Sequence, residues 1–432
     1  MCGPARFGCR LTLAFLAFAS VASGRVSADA PVPEVSATSV AGFFGEGRLT
    51  LLLRGYYMDR TFAEAFRYPE VENAAFVLGG GLVYETAKWH GASLGFSAYT
   101  SQKVWAPPDK GGTSLLKDGE SYSALAETFL QWEGGETTVR LFRQRIDTPI
   151  LGSRDFRMVP YAWEAWTVEN RSVPGLAIQA SWVTHVKDWT SSVFVPIGEW
   201  LGAPEIDAAT GLLGVVYESP GKAVSAQGWI FQTQDVLATL YGQVDGRLPV
   251  GRELTLTISG QGISQHAVGA AVYPGAKSGI VGLRGALGWK GSELRLAGNV
   301  SSRDGAFLNL FGLYPGYTSI MEEDNDLAGE RSWLAGFTAD FTPLGAPGLT
   351  LAVDRTKSWV SEPALGMSAL DQHEFNLEAS YRLQGPLKGL RLRARYAYVS
   401  SALDQGTIYG RDFDDYRLNL EYTLPLSTIL GK

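Results

Sequence analysis

The chain has 432 residues and a formal net charge of −7, from 44 acidic and 37 basic side chains. That negative balance disfavours a nucleic-acid partner. Aromatic residues make up 12% and glycines number 51, yet no apolar run after residue 30 reaches the roughly 18 residues of a membrane helix. The composition argues against a helical membrane protein and for strands.

Residues 1–24 read as a signal peptide: Arg6 and Arg10 give a positive start, Leu11 to Ala22 a short apolar run, and Ala22-Ser23-Gly24 small residues for cleavage. Val26-Ser27-Ala28 offers a second cut, so the predicted cleavage lies at 24–28. Losing two arginines and no acid takes the charge from −7 to −9. Both cysteines, Cys2 and Cys9, leave with the leader, and the exported chain is expected to carry no disulfide or Cys-based metal site. Residues 25–46 read as an N-terminal periplasmic segment and 47–432 as one uninterrupted β-domain.

Segments of about ten residues with period-two alternation then recur between turn residues, the pattern of a transmembrane barrel. Eighteen are predicted, at 47–58, 75–85, 91–101, 121–132, 137–146, 162–169, 175–186, 211–218, 224–234, 237–248, 253–263, 278–289, 293–302, 331–341, 348–357, 373–383, 389–400 and 413–424. Their connections alternate short and long: Glu133 to Glu136 is short and 147–161 long, Lys290 to Ser292 short and 303–330 long. Asp235-Val236 breaks the rhythm, as if two longer hairpin arms met there. The fold class is therefore all-β, a transmembrane antiparallel β-barrel of about 18 strands. Trp89, Trp132, Trp182, Trp289, Trp333 and Tyr422 near strand ends suit bilayer interfaces. A barrel this wide has a lumen that side chains do not fill, so its default content is water.

If the apolar parity faces lipid, the polar parity faces that lumen. Leu390, Leu392, Ala394, Tyr396 and Tyr398 then point out and Arg391, Arg393 and Arg395 point in, a ladder of cations at about 7 Å spacing. Arg48 and Arg54 are inward in the first strand. Glu127, Asp245, Asp340, Glu374, Glu378 and Glu421 share the inner wall, and opposed charges in a narrow pore make a strong transverse field. In the fifth strand Arg140 is inward, after which parity fails from Phe142 to Arg145, read as the chain bending into the lumen. Pro149 and Pro160 disfavour a continued strand and Gly152 permits a bend, so Thr148 to Tyr161 is expected to fold inward. Arg143, Arg145, Arg154, Asp155 and Arg157 would travel with it.

Asp155-Phe156-Arg157-Met158-Val159-Pro160, followed by Trp163-Glu164, resembles the third-loop region of the OprD family of outer-membrane porins, where an Asp-x-Arg-Leu-x-Pro run precedes an aromatic-acidic pair. Tyr56-Tyr57-Met58-Asp59-Arg60, Asp235-Val236, Leu248-Pro249-Val250 and Leu344 to Leu349 extend the likeness over most of the mature chain. Tyr161-Ala162, Ala165 and the ending Ile429 to Lys432 depart from it. The resemblance implies an eighteen-stranded barrel in the outer membrane of a Gram-negative bacterium, monomeric or a loose homotrimer amid outer-membrane lipid and lipopolysaccharide. Its third loop would form an eyelet, and its basic ladder would guide small carboxylate solutes such as amino acids or organic acids. No cofactor is implied.

Other motifs carry less. Gly91-Ala92-Ser93-Leu94-Gly95 matches a nucleophile elbow but lies within a strand. His90, His185, His266 and His373 lack metal-site spacing. Glu322 to Asp326 in the longest loop offers carboxylates for Ca²⁺, although an exposed acidic run is ordinarily just solvated. A barrel protease or acylhydrolase, or a structural or adhesive barrel, are the competing functions.

Overall fold

The computed structural model describes residues 36–62, 72–108, 112–269, 272–360, 370–401 and 412–426. The predicted signal peptide, its cleavage positions, both cysteines and residues 25–35 lie outside the described residues. From the N-terminus the strands are β1 (Arg48–Phe62), β2 (Glu72–Glu85), β3 (Ala92–Trp105), β4 (Tyr122–Gly134), β5 (Thr137–Gln144), β6 (Ala162–Asn170), β7 (Leu176–Lys187), β8 (Val195–Pro196) and β9 (Thr210–Glu218). They continue as β10 (Val224–Thr233), β11 (Leu237–Pro249), β12 (Leu254–Ala267), β13 (Lys277–Trp289), β14 (Ser292–Ser301), β15 (Glu330–Asp340), β16 (Leu349–Val360), β17 (Leu370–Arg382), β18 (Leu390–Ser401) and β19 (Phe413–Pro425). Helix α1 (Val40–Gly45) precedes them, capped by Ser39 Oγ accepting from the Gly42 amide at 3.0 Å. Helix α2 (Ile197–Trp200) follows β8.

Each long strand pairs antiparallel with its neighbour, and β7 meets β9 directly. The ring shuts where β19 pairs β1, from Thr50 opposite Pro425 to Phe62 opposite Phe413. β8 pairs only with the end of β7, His185 opposite Pro196. Nineteen strands less this two-residue piece leave eighteen around the closed barrel, and their limits fall within four residues of the alternation read from sequence.

Burial is inverted relative to a water-soluble sheet. Ser93, Ser97 and Ser101 on β3, Asp354, Thr356 and Ser358 on β16, and Glu374, Asn376, Glu378 and Ser380 on β17 are buried at every second position. The alternate positions expose large apolar side chains, reaching 64% at Val281 and 67% at Leu283. Polar inside and apolar outside is stable only where the surroundings are hydrocarbon and the interior is wet. Trp89, Trp132, Trp182, Trp289 and Trp333 lie among the exposed set.

One local feature corrects the sequence reading. Asp235-Val236 does not join longer arms: β10 ends at Thr233 and β11 starts at Leu237, with Asp235 at φ 55° making a tight turn. The following loop covers that turn, as the amides of Val268 and Val272 donate to the carbonyls of Val236 and Asp235 at 3.3 and 3.2 Å. Gly80, at φ +133°, brings β2 so close to β1 that a Cβ would stand 1.9 Å from the Leu52 carbonyl oxygen. Only glycine fits there.

A closed ring satisfies its backbone groups between strands and resists detergent unfolding. Unboiled protein is expected to migrate differently from boiled protein on a detergent gel, with strand-dominated circular dichroism. Identical mobilities before and after boiling would count against the closed barrel.

Candidate functional site

The β5–β6 loop leaves the wall at Gln144, whose side-chain amide donates to the carbonyls of Arg140, Phe142 and Ala165 at 3.2, 3.3 and 2.9 Å and so finishes the strand end. Asp147 Oδ1 then accepts from Ser153 N and Oγ at 2.8 and 2.6 Å, closing a compact turn. The turning residue is Arg154, at φ +44°. Gly152 serves a different need from the bend expected of it: its φ is ordinary, but a Cβ there would stand 2.1 Å from Leu313 Cδ1 of the β14–β15 loop.

Ion pairs hold this loop against the polar face of the wall. Arg54 Nη1 donates to Asp155 Oδ1 at 2.7 Å and to the carbonyls of Arg157 and Met158 at 3.1 and 3.2 Å. Arg145 bridges Asp155 at 3.3 Å and Glu127 at 3.4 Å. Burial alone would raise the Asp155 carboxyl, but the charges and hydrogen bond of these guanidiniums hold it below the usual carboxylate range. Lys187 Nζ donates to the Pro160 carbonyl at 2.9 Å and fixes the far end. Arg54 and Arg145 are thus clamps on the loop.

Two arginines of the loop keep free donors. Arg154 stacks 4.0 Å above the Trp189 ring, and its Nε has no hydrogen-bond partner. Arg157 Nη1 reaches the Tyr56 hydroxyl at 3.4 Å while its Nε is also without one. Burial pulls the Arg157 guanidinium down to about 10, with nearby Arg417 and Arg395 adding to that.

The ladder stands beside them on β18. Glu378 on β17 faces all three rungs: Arg391 at 3.9 Å, Arg395 at 3.7 Å, and Arg393 hydrogen-bonded. Arg391 also lies 3.6 Å from Glu421. Arg395 Nη2 donates to Tyr56 at 3.3 Å, and its Nε lacks a hydrogen bond. The Tyr56 hydroxyl therefore joins the loop arginine Arg157 to the wall arginine Arg395.

A second loop shares the site, with little in its local residues to announce it. The β14–β15 segment bridges the first, with Leu151 paired to Gly312 and Phe311 edge-on to Trp163 at 5.7 Å. Its acidic run is not simply solvated. Burial pushes Glu323 up to about 7 and Asp326 up to about 8. The five residues do not converge on a cation position. Glu322 turns to Arg60 and Arg417, while Asp324 accepts from Ser319 Oγ at 2.7 Å. Among the described residues no group of three or more acidic or histidine side chains is placed to hold a metal ion.

Arg140 and Arg143 stand outside this cluster. Arg140 donates to Gln131 at 2.7 Å and lies 4.4 Å above the Phe129 ring, lower on the inner wall. Arg143 corrects the parity expectation. It pairs with Glu164 at 3.3 Å and lies 4.4 Å above the Phe194 ring, beside the irregular Glu164–Ala165 step of β6 and away from the Arg157–Tyr56–Arg395 group. The parity failure comes from Phe142, at φ 82°, and not from an early departure of the chain, because β5 stays paired through Gln144.

A family model described as outer membrane porin, OprD family, matches residues 41–426. Porin D of Pseudomonas aeruginosa is 23% identical over 438 residues, covering 89% of this chain and 92% of that protein. Among solved structures, P. aeruginosa OpdK with vanillate has a TM-score of 0.76 at 21% identity, and OccK2 (OpdF) in complex with glucuronate 0.74 at 18%. Each likeness covers 89% of this chain and 100% of the other. The wet, charged lumen, the closed ring and the match over nearly the whole described chain agree: this protein belongs to the OprD family of outer-membrane porins and resides in the outer membrane of a Gram-negative bacterium.

Proposed function

We propose that the channel carries small carboxylate-bearing solutes by passive, selective diffusion, with no enzymatic step. The observation that carries this reading is the pair of buried Nε–H groups of Arg157 and Arg395 on either side of the Tyr56 hydroxyl, neither of which makes a hydrogen bond, Arg395 Nε having only the Glu378 carboxylate 3.7 Å away. Buried donors without acceptors are rare and call for one. A carboxylate accepts from two guanidiniums at once, in charge-assisted bonds about twice as strong as neutral ones. From this point along the wall the three ladder arginines share two carboxylates, Glu378 and, at Arg391, Glu421, so the path stays net positive. The vanillate and glucuronate bound by relatives are both carboxylates. In this reading Arg154, Arg157, Arg391, Arg393 and Arg395 face the solute, Arg54, Arg145 and Asp155 hold the constriction, Arg140 lines the wall, and Arg143 takes no part.

Replacing Arg157 and Arg395 together with glutamine is expected to reduce anion preference in a planar bilayer and to slow carboxylate uptake, with the barrel still heat-modifiable. An unchanged reversal potential in a salt gradient would overturn the assignment. Neutralising Arg391, Arg393 and Arg395 should act in the same direction.

The clamp gives a separate expectation. Removing one partner of a buried pair costs about 3–5 kcal/mol locally, so Arg54→Gln should free the β5–β6 loop, raise single-channel conductance and weaken discrimination among organic acids. Because the folded-state pKa of Asp155 is depressed, the clamp's stabilisation is present above the ordinary aspartate value of about 3.9 and is lost only as pH falls through the lower folded value. The conductance difference between Arg54→Gln and wild type should therefore hold steady down to about pH 4, and its disappearance well above that pH would contradict the clamp.

A further inference from the structure

Glu322 differs from its acidic neighbours in the β14–β15 loop. Its Oε2 accepts from Arg60 Nη2 on β1 and its Oε1 from Arg417 Nη2 on β19. Those arginines also grip Asp415, Arg60 Nε at 2.9 Å and Arg417 Nε and Nη2 at 2.8 and 3.0 Å. Arg417 is the cross-strand partner of Arg395, so this group forms the rung next to Arg395 toward the long-loop side. Two cations and two carboxylates make that rung neutral.

The loop backbone is held so that Glu322 lands there. Glu374 on β17 accepts from three consecutive amides, Met321 at 3.1 Å, Glu322 at 3.0 Å and Glu323 at 2.9 Å. Three successive N–H groups converging on one anion make a backbone nest. The segment carrying Glu322 is thereby fixed against the wall, and its side chain is only 7% exposed. A free carboxylate arriving at Arg60 and Arg417 would need the same N–H positions that Glu322 occupies.

We infer that Glu322 is a tethered counter-carboxylate, held by Glu374, that neutralises the outer end of the arginine ladder and competes there with the carboxylate of an incoming solute. This rests on the carboxylate reading above. Glu322 thus sets how strongly the pore mouth attracts anions, while the deeper rungs set which ones pass. It is a specificity-determining side chain supplied by the second loop.

The test uses the full-length protein in planar bilayers, with chloride against potassium for selectivity and benzoate as the carboxylate probe. Glu322→Gln keeps the backbone nest but leaves the rung at +1. The expected result is a rise of roughly tenfold in the chloride-to-potassium permeability ratio, the low end of the enrichment a charge-lined cleft gives, with half-block by benzoate at correspondingly lower concentration. Glu322→Gln combined with Arg60→Gln restores neutrality and should return the ratio to that of the wild type, which a merely loosened loop would not do. Glu323→Gln, one residue along, should leave the ratio unchanged. A wild-type ratio in Glu322→Gln, or an equal rise in Glu323→Gln, overturns the inference. If Arg395→Gln lowers anion preference while Glu322→Gln does nothing, this inference alone fails; if neither variant moves the ratio, the carboxylate reading fails with it.

Discussion

Inside hydrocarbon a peptide group has no water to bond, and from this constraint the rest of the architecture follows. Every strand must find a partner on both sides, which is why β19 returns to β1 over thirteen paired positions and leaves no edge. Closing eighteen strands fixes a circumference, and the circumference leaves an interior that wall side chains cannot fill. The polar inner face is then a consequence of geometry, since only water can occupy what is left. Buried serines and threonines on β3 and β16 belong to that wet surface rather than to a core.

A wide wet tube discriminates poorly, so selectivity has to come from chain that is not part of the ring. On the proposed reading two connections supply it, and both depend on the wall's charges for their position. Arg54 and Arg145 fix the β5–β6 loop through Asp155, while Glu374 and the Arg60–Arg417 pair fix the β14–β15 loop. The Leu151–Gly312 bridge joins the two. Several wall charges are therefore spent on architecture. On the proposed reading, Arg157 of the loop and Arg395 of the wall, whose Nε–H groups make no hydrogen bond, are the ones left to meet a solute.

The strands were legible from sequence because lipid outside and water inside impose a period of two on every one of them, with few exceptions to hide it. The inward β5–β6 loop could be suspected from Pro149, Pro160 and its arginines. Its clamp could not, since Arg54 and Asp155 lie about a hundred positions apart and nothing local links them. The β14–β15 loop was read as solvated because an acidic run in isolation is soluble; what draws it to the wall is Glu374 and two arginines from opposite ends of the chain. Arg143 misled for a different reason. The break in alternation at Phe142 suggests a chain leaving the wall, but it is one left-handed residue in a strand that stays paired through Gln144.

The seam between β1 and β19 has a consequence for assembly. Arg60 comes from the first strand of the chain and Arg417 from the last, and Glu322 has its two-sided seat only when they stand side by side. The β14–β15 loop therefore cannot reach its final position in a half-zipped sheet, however early its own strands pair. Such long-range closure is the slow part of folding for non-local topologies. The constriction is thus the last element to mature, and a ring that has closed before the β14–β15 loop is seated would be a wider, less selective hole than the finished channel.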